Sequence, residues 1–149
     1  PIRPEDEPLL RKFHETLSDR SVYLRYFSPL VLSARVTHER LARVCFADYN
    51  REIPIVAEHH GQIIAVGRLS RLHESTTARL TMLVSDRFQG QGIGHLLLQH
   101  LLDIGRAEKL TRVIAHILAD NVMMQKLLEK HGFRITPLEK GIVKAEVNL

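Results

Sequence analysis

Hydrophobic residues recur with helical spacing in the first third of the chain. Leu9, Leu10, Phe13 and Leu17 lie on one face of a helical wheel, and Pro4 stands where a helix can begin. The pattern predicts helices over residues 5–17, 18–27 and 37–46.

The rest of the chain alternates between short β-rich runs and two helices. Strands are predicted over residues 53–58, 62–69, 77–84, 112–118, 133–135 and 142–147, and helices over residues 92–108 and 121–131. The turn His59-His60-Gly61 indicates an antiparallel hairpin. The apolar face of the longer helix is expected to comprise Ile93, Leu96, Leu97, His100, Leu101 and Ile104. This order predicts an α+β fold, with helices flanking one mixed central β-sheet, as a single domain over residues 1–149.

Composition narrows the classes of protein that fit this pattern. Hydrophobic residues make up 44% of the chain and charged residues 26%, which favours a globular domain over a disordered one. The formal net charge of +4 suits an anionic ligand. No basic run alternates with aromatic residues, so we expect no nucleic acid partner. No apolar run is long enough to span a bilayer, so we expect no membrane association.

The cysteine and histidine content argues against disulfides and metals. Cys45 is the single cysteine, and its place on the apolar face of a predicted helix favours a packed thiol in a cytoplasmic protein. His59 and His60 are adjacent, but no second pair has the spacing of a zinc site, so we expect no metal. The oligomeric state stays open between a monomer and a homodimer.

A glycine-rich turn joins the strand at residues 77–84 to the long helix. Glycines allow positive φ and close approach of a ligand, and the first N–H groups of a helix suit a diphosphate. A P-loop is excluded because His95 and Leu96 follow Gly94 where lysine and Ser/Thr are required. A dinucleotide fingerprint is excluded because its third glycine would stand one place later. The pattern that remains is Q-x-x-G-x-G, formed by Gln89, Gly92 and Gly94.

This turn resembles motif A of the GNAT N-acetyltransferases, and Asn121, Leu127 and Gly132-Phe133 resemble motif B of that family. Stretches at residues 2–8, 21–27, 38–41, 48–52 and 66–69 are similar to the GNAT domains of bacterial protein lysine acetyltransferases that carry an acyl-CoA-synthetase-like region. The resemblance covers essentially the whole chain. It implies the GNAT fold, acetyl-CoA as cosubstrate and a protein lysine or small amine as acceptor. It also suggests that the chain is the C-terminal part of a longer protein.

The resemblance implies a set of residues that contact the coenzyme. Main-chain N–H groups of residues 82–84 would polarise the thioester carbonyl, with Leu83 the expected donor. The expected coenzyme-binding residues are Leu83, Val84, Gln89, Gly90, Gln91, Gly92, Ile93, Gly94, His95 and Asn121. Asn121 is also expected to cap its helix.

The catalytic base is the point where the chain departs from the family. A free lysine has a pKa near 10.4, so only roughly one in 2,500 is neutral at pH 7, and a base is valuable. The family's glutamate position is occupied by Arg79, which cannot accept a proton. Glu74, Glu58 and His116 are the substitutes, with Glu74 expected because it lies nearest in sequence.

A second departure concerns the leaving group. Many GNAT enzymes carry a tyrosine on the motif B helix that protonates the thiolate, and Leu128 stands at this position. Together the two departures leave an alternative open, in which the domain binds acyl-CoA as a regulatory module with little or no turnover. A third interpretation, a small-amine acetyltransferase, shares the chemistry and differs in the acceptor.

Overall fold

The computed structural model describes residues 1–27, 32–45, 51–73 and 75–149. The helices, numbered in chain order, are α1 (Glu7–Glu15), α2 (Asp19–Tyr26), α3 (Leu32–Arg35), α4 (His38–Cys45), α5 (Ile93–Ala107) and α6 (Val122–Lys130). The strands are β1 (Glu52–His59), β2 (Gln62–Arg71), β3 (Thr77–Val84), β4 (Arg112–Leu118), β5 (Arg134–Glu139) and β6 (Ile142–Asn148).

The six strands form one sheet in the order β1-β2-β3-β4-β6-β5. All neighbours are antiparallel except β3 and β4, which run parallel because α5 crosses over between them. This confirms the predicted α+β class with a mixed central sheet. The predicted hairpin is also confirmed, since β1 pairs with β2 across the turn at His60 and Gly61.

Helices cover both faces of the sheet, because its strands alternate apolar side chains to the two sides. On one face, α5 and α6 bury a core that includes Leu69, Leu80 and Leu101. On the other face, α1 and α4 bury a second core that includes Phe13 and Cys45. Cys45 is therefore a packed thiol, as its position in the sequence predicts.

The sheet splits along its middle. β3 and β4 pair only from Thr77 with Arg112 to Arg79 with Ile114, whereas β2 stays paired with β3 as far as Val84. Beyond Arg79, no strand in the described part of the chain pairs with this side of β3. The two parallel strands therefore diverge toward their carboxyl ends and leave a gap between them.

The predicted strands and the five predicted helices lie where the structure has them, although residue 46 of the third predicted helix lies outside the described residues. β5 extends four residues beyond its predicted end at residue 135, and the short α3 was not predicted. The expected apolar face of α5 is wrong at Leu96, which is 74% exposed, and at His100, which is also exposed. The buried residues are instead Leu97, Leu98, Leu101, Leu102 and Gly105.

Gly67 explains how closely α5 lies on the sheet. A Cβ on this residue of β2 would stand 2.7 Å from Leu101 Cδ1 and 3.1 Å from Leu97 Cδ2, so a larger residue would force these leucine side chains to shift. Leu97 and Leu101, which lie against Gly67, belong to both the predicted and the observed face of α5, so the two faces differ at the residues beside them.

Candidate functional site

The gap between β3 and β4 continues into a cleft of about 360 Å³. Its walls come from the ends of both strands, from α2 and α6, and from the glycine turn that opens α5. Of the residues expected to contact the coenzyme, eight line this cleft: Leu83, Val84, Gln89, Gly90, Gly92, Gly94, His95 and Asn121. The other two do not line it. The Gln91 amide donates to the Arg87 carbonyl at 3.1 Å, and Ile93 packs against the core.

The register of β3 decides which main-chain groups face the cleft. In an antiparallel pair, hydrogen-bonded residues alternate with residues whose N–H and C=O groups point away from the partner. Leu72 N–H donates to the Thr77 carbonyl at 2.9 Å, and Ser85 N–H donates to the Ile64 carbonyl at 2.8 Å. Both bonds join directly opposed residues, so every odd-numbered residue of β3, including Leu83, directs its main-chain groups toward β2.

Met82 and Val84 therefore direct their N–H groups to the opposite side, where β4 has diverged. Both residues line the cleft. The Val84 carbonyl confirms the direction, because it accepts a hydrogen bond from Gln89 Nε2 on the cleft side at 3.0 Å. The structure thus departs from the expectation that the Leu83 N–H is the donor, and it offers Met82 and Val84 instead.

Two glycines shape the turn as the sequence predicts. Gly90 has φ +76° and Gly92 has φ +83°, a conformation that side chains disfavour. Gly92 is the N-cap of α5, and the first intrahelical bond runs from Leu96 N–H to its carbonyl. The N–H groups of residues 93–95 precede that bond and form the positive end of the helix.

Gly94 has a different role from the other two glycines. Its φ is not positive, but a Cβ there would stand 3.2 Å from Leu127 Cδ2. Gly94 therefore lets the first turn of α5 lie close to α6, where both helices line the cleft.

The turn is fastened to α2 by side chains. Gln89 Nε2 donates to Ser21 Oγ at 3.1 Å as well as to the Val84 carbonyl, so its amide links α2 to the end of β3. The Asp86 carboxylate accepts from the Ser18 N–H at 2.9 Å, from Ser18 Oγ at 2.7 Å and from Ser21 Oγ at 3.1 Å. Burial acts to raise the pKa of Asp86, but these hydrogen bonds outweigh it and hold the pKa below its ordinary value.

Three cations at the cleft were not anticipated from the sequence. Lys126 and Lys130 lie one turn apart on α6, and Arg25 projects from α2. The lysines could have been found from their i, i+4 spacing on the motif B helix. Arg25 could not, because its helix is distant in sequence. Asn121 is confirmed as the N-cap of α6, since its Oδ1 accepts from Met124 N–H at 3.2 Å.

The three candidate bases differ in their position relative to the cleft. Glu74 lies outside the described residues. Glu58 is exposed near the hairpin end of β1, and it does not line the cleft. His116 lies on β4 and does line the cleft. Partial burial, followed by the charges of Arg79 and Lys144, lowers the pKa of His116, so the imidazole is neutral at pH 7.

Arg79 and Leu128, the two positions that depart from the family's pattern, lie in different environments. Arg79 is exposed on β3, next to the end of the β3–β4 pairing. Leu128 is fully buried in the core beneath α6, where no group on its side chain can reach the cleft.

Comparison with known proteins agrees with this geometry. A profile of the acetyltransferase (GNAT) family matches residues 20–133, and the chain belongs to this family of N-acetyltransferases. GNAT enzymes use acetyl-CoA.

Three relatives illustrate the similarity. The chain is 28% identical to acetyltransferase Pat of Mycolicibacterium smegmatis, covering 100% of this chain but 44% of that protein's length. It is 28% identical to the GNAT domain of S. lividans PAT, with a TM-score of 0.93 over 100% of this chain and 88% of that one. The fold also matches PaiA N-acetyltransferase of Thermoplasma acidophilum in complex with coenzyme A, at 14% identity and a TM-score of 0.81 over 99% and 96% of the two chains.

Two kinds of feature are absent from the described residues. No helix there is long and apolar enough to cross a membrane. Within the same residues, no three histidine, cysteine, aspartate or glutamate side chains converge as a metal ion would require.

Proposed function

We propose that this domain binds acetyl-CoA in the β3–β4 cleft and transfers the acetyl group to an amine, most favourably the side chain of a protein lysine. One observation carries the proposal: the N–H groups of Met82 and Val84 face a cleft that ends at the N-terminus of α5. The helix end suits the diphosphate, and the strand suits the pantetheine and the thioester. Lys126 and Lys130 add positive charge beside the phosphates.

The chemistry assigns distinct tasks to the main chain and the side chains. The Met82 N–H donates to the thioester oxygen as it gains negative charge, and the Val84 N–H holds the pantetheine. His116 accepts the proton of the acceptor ammonium, directly or through one water, because its imidazole is neutral at pH 7. The amine nitrogen then attacks the carbonyl carbon. As the C–S bond breaks, the nitrogen loses its second proton to solvent, which leaves a neutral amide, and CoA leaves as a thiolate that takes up a proton from solvent. An ordinary thiol pKa near 8.5 makes that thiolate a tolerable leaving group, so the leucine at position 128 does not prevent turnover.

The acceptor class rests on similarity. The relatives from M. smegmatis and S. lividans are Pat acetyltransferases, and the resemblance in the first half of the chain points to protein lysine acetyltransferases. Because the chain spans less than half of the M. smegmatis protein, acetylation of a protein lysine is a proposal for this domain alone.

The test measures free CoA released from acetyl-CoA in the presence of lysine peptides, small amines and folded proteins. We expect release above the rate of hydrolysis with at least one acceptor class, and calorimetric binding of CoA without any acceptor. Binding of neither CoA nor acetyl-CoA to folded protein would reject the proposal.

The second candidate function is a regulatory domain that binds acyl-CoA without efficient transfer. It is favoured by an arginine on β3 at the family's glutamate position and by the burial of Leu128. On this alternative, Arg79→Glu would create activity in a domain that otherwise binds acetyl-CoA without turnover. On the first proposal, the wild-type domain is already active and loses activity with His116→Gln.

A further inference from the structure

A second cavity, also of about 360 Å³, lies on the face of the sheet covered by α1, α2 and α4. Five arginines line it: Arg25, Arg35, Arg40, Arg43 and Arg68. Each of α2, α3, α4 and β2 contributes at least one of them, so the fold gathers the arginines from distant parts of the sequence. We call this space the arginine cavity.

Few carboxylates face the arginines of the arginine cavity among the side chains that the structure describes. Among the side chains that the structure describes, Glu52 is the only carboxylate that lines it, and its Oε2 is 3.7 Å from Arg68 Nη1. None of the carboxylates whose side chains are described lies within ion-pair distance of Arg25, Arg35 or Arg40. Instead the Tyr26 ring orients two of them, with Arg25 Cζ 4.7 Å and Arg40 Cζ 5.6 Å from its centroid.

Two buried polar atoms in this cavity also lack partners. Arg35 is 6% exposed, and while its Nη1 donates to the His14 carbonyl at 3.2 Å, its Nε has no hydrogen-bond acceptor. His14 is 9% exposed, and its Nδ1 is likewise unpartnered. Burying a guanidinium without an anion is costly, and a negatively charged ligand in the cavity would offset that cost.

We infer that the arginine cavity binds a carboxylate carried by the acetyl acceptor, close to the amine that is acetylated. This inference rests on the proposed function and names the class of its acceptor. Arginine is suited to the task because its planar guanidinium forms paired hydrogen bonds with a carboxylate.

The position of the cavity connects it to the reaction. Thr81, Leu83 and Arg25 line both the arginine cavity and the coenzyme cleft, so the two spaces meet at β3. Thr81 and Leu83 share one face of this strand, whereas Met82 and Val84 point to the other face. An acceptor seated among the arginines would therefore approach the thioester from the side of the sheet opposite α5.

His116 lies on the same face of the sheet as the arginine cavity. Its neighbours on β4, Ala115 and Ile117, belong to the α5 core, so the side chain of His116 points to the opposite face.

The kinetic test uses matched pairs of acceptors that differ only in charge. L-lysine is compared with L-lysinamide, and the peptide acetyl-Glu-Lys-Glu-amide with acetyl-Gln-Lys-Gln-amide. We expect kcat/KM for the charged member of at least one pair to exceed that of its amide by about tenfold or more, as for a hydrogen bond between charged groups. A preference in the first pair identifies a small amino acid, and one in the second pair identifies acidic residues beside a protein lysine.

Two variants link the preference to the cavity. Arg40→Gln alters a residue that lines only the arginine cavity, and it should reduce the preference to less than about threefold. Arg20→Gln, on the exposed side of α2 and away from both spaces, should leave the preference intact. Equal kcat/KM for the charged and amide members in the active wild-type protein would overturn the acceptor assignment.

A binding measurement separates this inference from the proposed function. Inorganic phosphate is titrated into CoA-saturated protein, and the His14 imidazole resonance is followed by NMR, identified by its loss in His14→Gln. The resonance should shift in wild type and in Arg20→Gln but much less in Arg40→Gln, even if no amine is acetylated. Absence of any shift in the wild type would overturn the anion site, whatever the transferase activity.

Discussion

His14 is a buried imidazole held neutral by its surroundings. Burial, followed by the charges of Arg35, Arg40 and Arg25, lowers its pKa to about 4. In the unfolded chain the same histidine titrates near pH 6.5. Between these two values the unfolded chain binds a proton that the folded protein does not, so the folded state loses stability as the pH falls.

The His14 prediction concerns the pH dependence of stability. The contribution of His14 should be complete above pH 6.5 and should decline between pH 6.5 and 4, by at most about 3 kcal/mol of unfolding free energy. Urea unfolding at several pH values should show that the unfolding free energy of His14→Gln depends less steeply on pH over this interval than that of the wild type. The exposed His100 supplies the control, because His100→Gln should keep the wild-type slope. Identical slopes in all three proteins would contradict the assignment.

His116 carries the residue-scale prediction for activity. If it accepts the proton of the acceptor ammonium, His116→Gln should lower kcat/KM by about 10²-fold or more without changing the affinity for CoA. Because burial and the charges of Arg79 and Lys144 lower its pKa, the acid limb of the wild-type pH–rate profile should lie below pH 6.5 and disappear in the variant. The rate of CoA release, measured across pH for the wild type, His116→Gln and the control His100→Gln, tests both expectations. A variant with wild-type rates would remove His116 from the mechanism.

At the scale of elements, the glycine turn works through its backbone. Gly92 adopts φ +83° with open space around the site of a Cβ, so an alanine there is strained rather than sterically blocked. Gly61, in the β1–β2 hairpin, has the same character at φ +75° but lies away from the cleft. The two positions form a matched pair for separating folding from binding.

We predict that Gly92→Ala and Gly61→Ala each destabilise the domain by about 1–2 kcal/mol, the cost of a left-handed conformation with a side chain. Only Gly92→Ala should also weaken CoA binding, by about tenfold or more, because relief of the strain moves the first N–H groups of α5. Chemical unfolding and calorimetry measure the two effects. If both variants bind CoA as the wild type does, the helix N-terminus is not the diphosphate site.

At the scale of the whole molecule, binding of CoA should stabilise the fold, since α2, α5, α6 and two strands meet at one cleft. A ligand at one hundred times its Kd adds about 2.7 kcal/mol to the unfolding free energy. We predict that CoA raises the melting temperature, and that Lys126→Gln combined with Lys130→Gln reduces this gain and its dependence on salt. Lys12→Gln combined with Lys140→Gln, both on exposed positions away from the cleft, should leave the gain unchanged.

Much of the fold follows from local patterns. β3 and β4 agree with their predicted ranges because both are short runs between turn signals and are rich in the β-branched and aliphatic residues that favour strands. The positive φ at Gly90 and Gly92 was predictable because local sterics alone favour glycine there. The rotated face of α5 was not predictable, because Leu97 and Leu101 fit both leucine stripes and the burial of Leu98 rather than Leu96 depends on packing against the sheet.

The same distinction between local sequence and long-range contacts applies to the candidate site. The sequence by itself determined the glycine turn, the helix behind it and the Asn121 cap, because each depends on residues within a few positions of one another. Only the tertiary structure decided that Met82 and Val84, rather than Leu83, face the cleft, since strand register is set by pairing with β2. It alone brought His116 to the cleft and gathered the arginines of the arginine cavity, because these contacts join residues that are far apart in the chain.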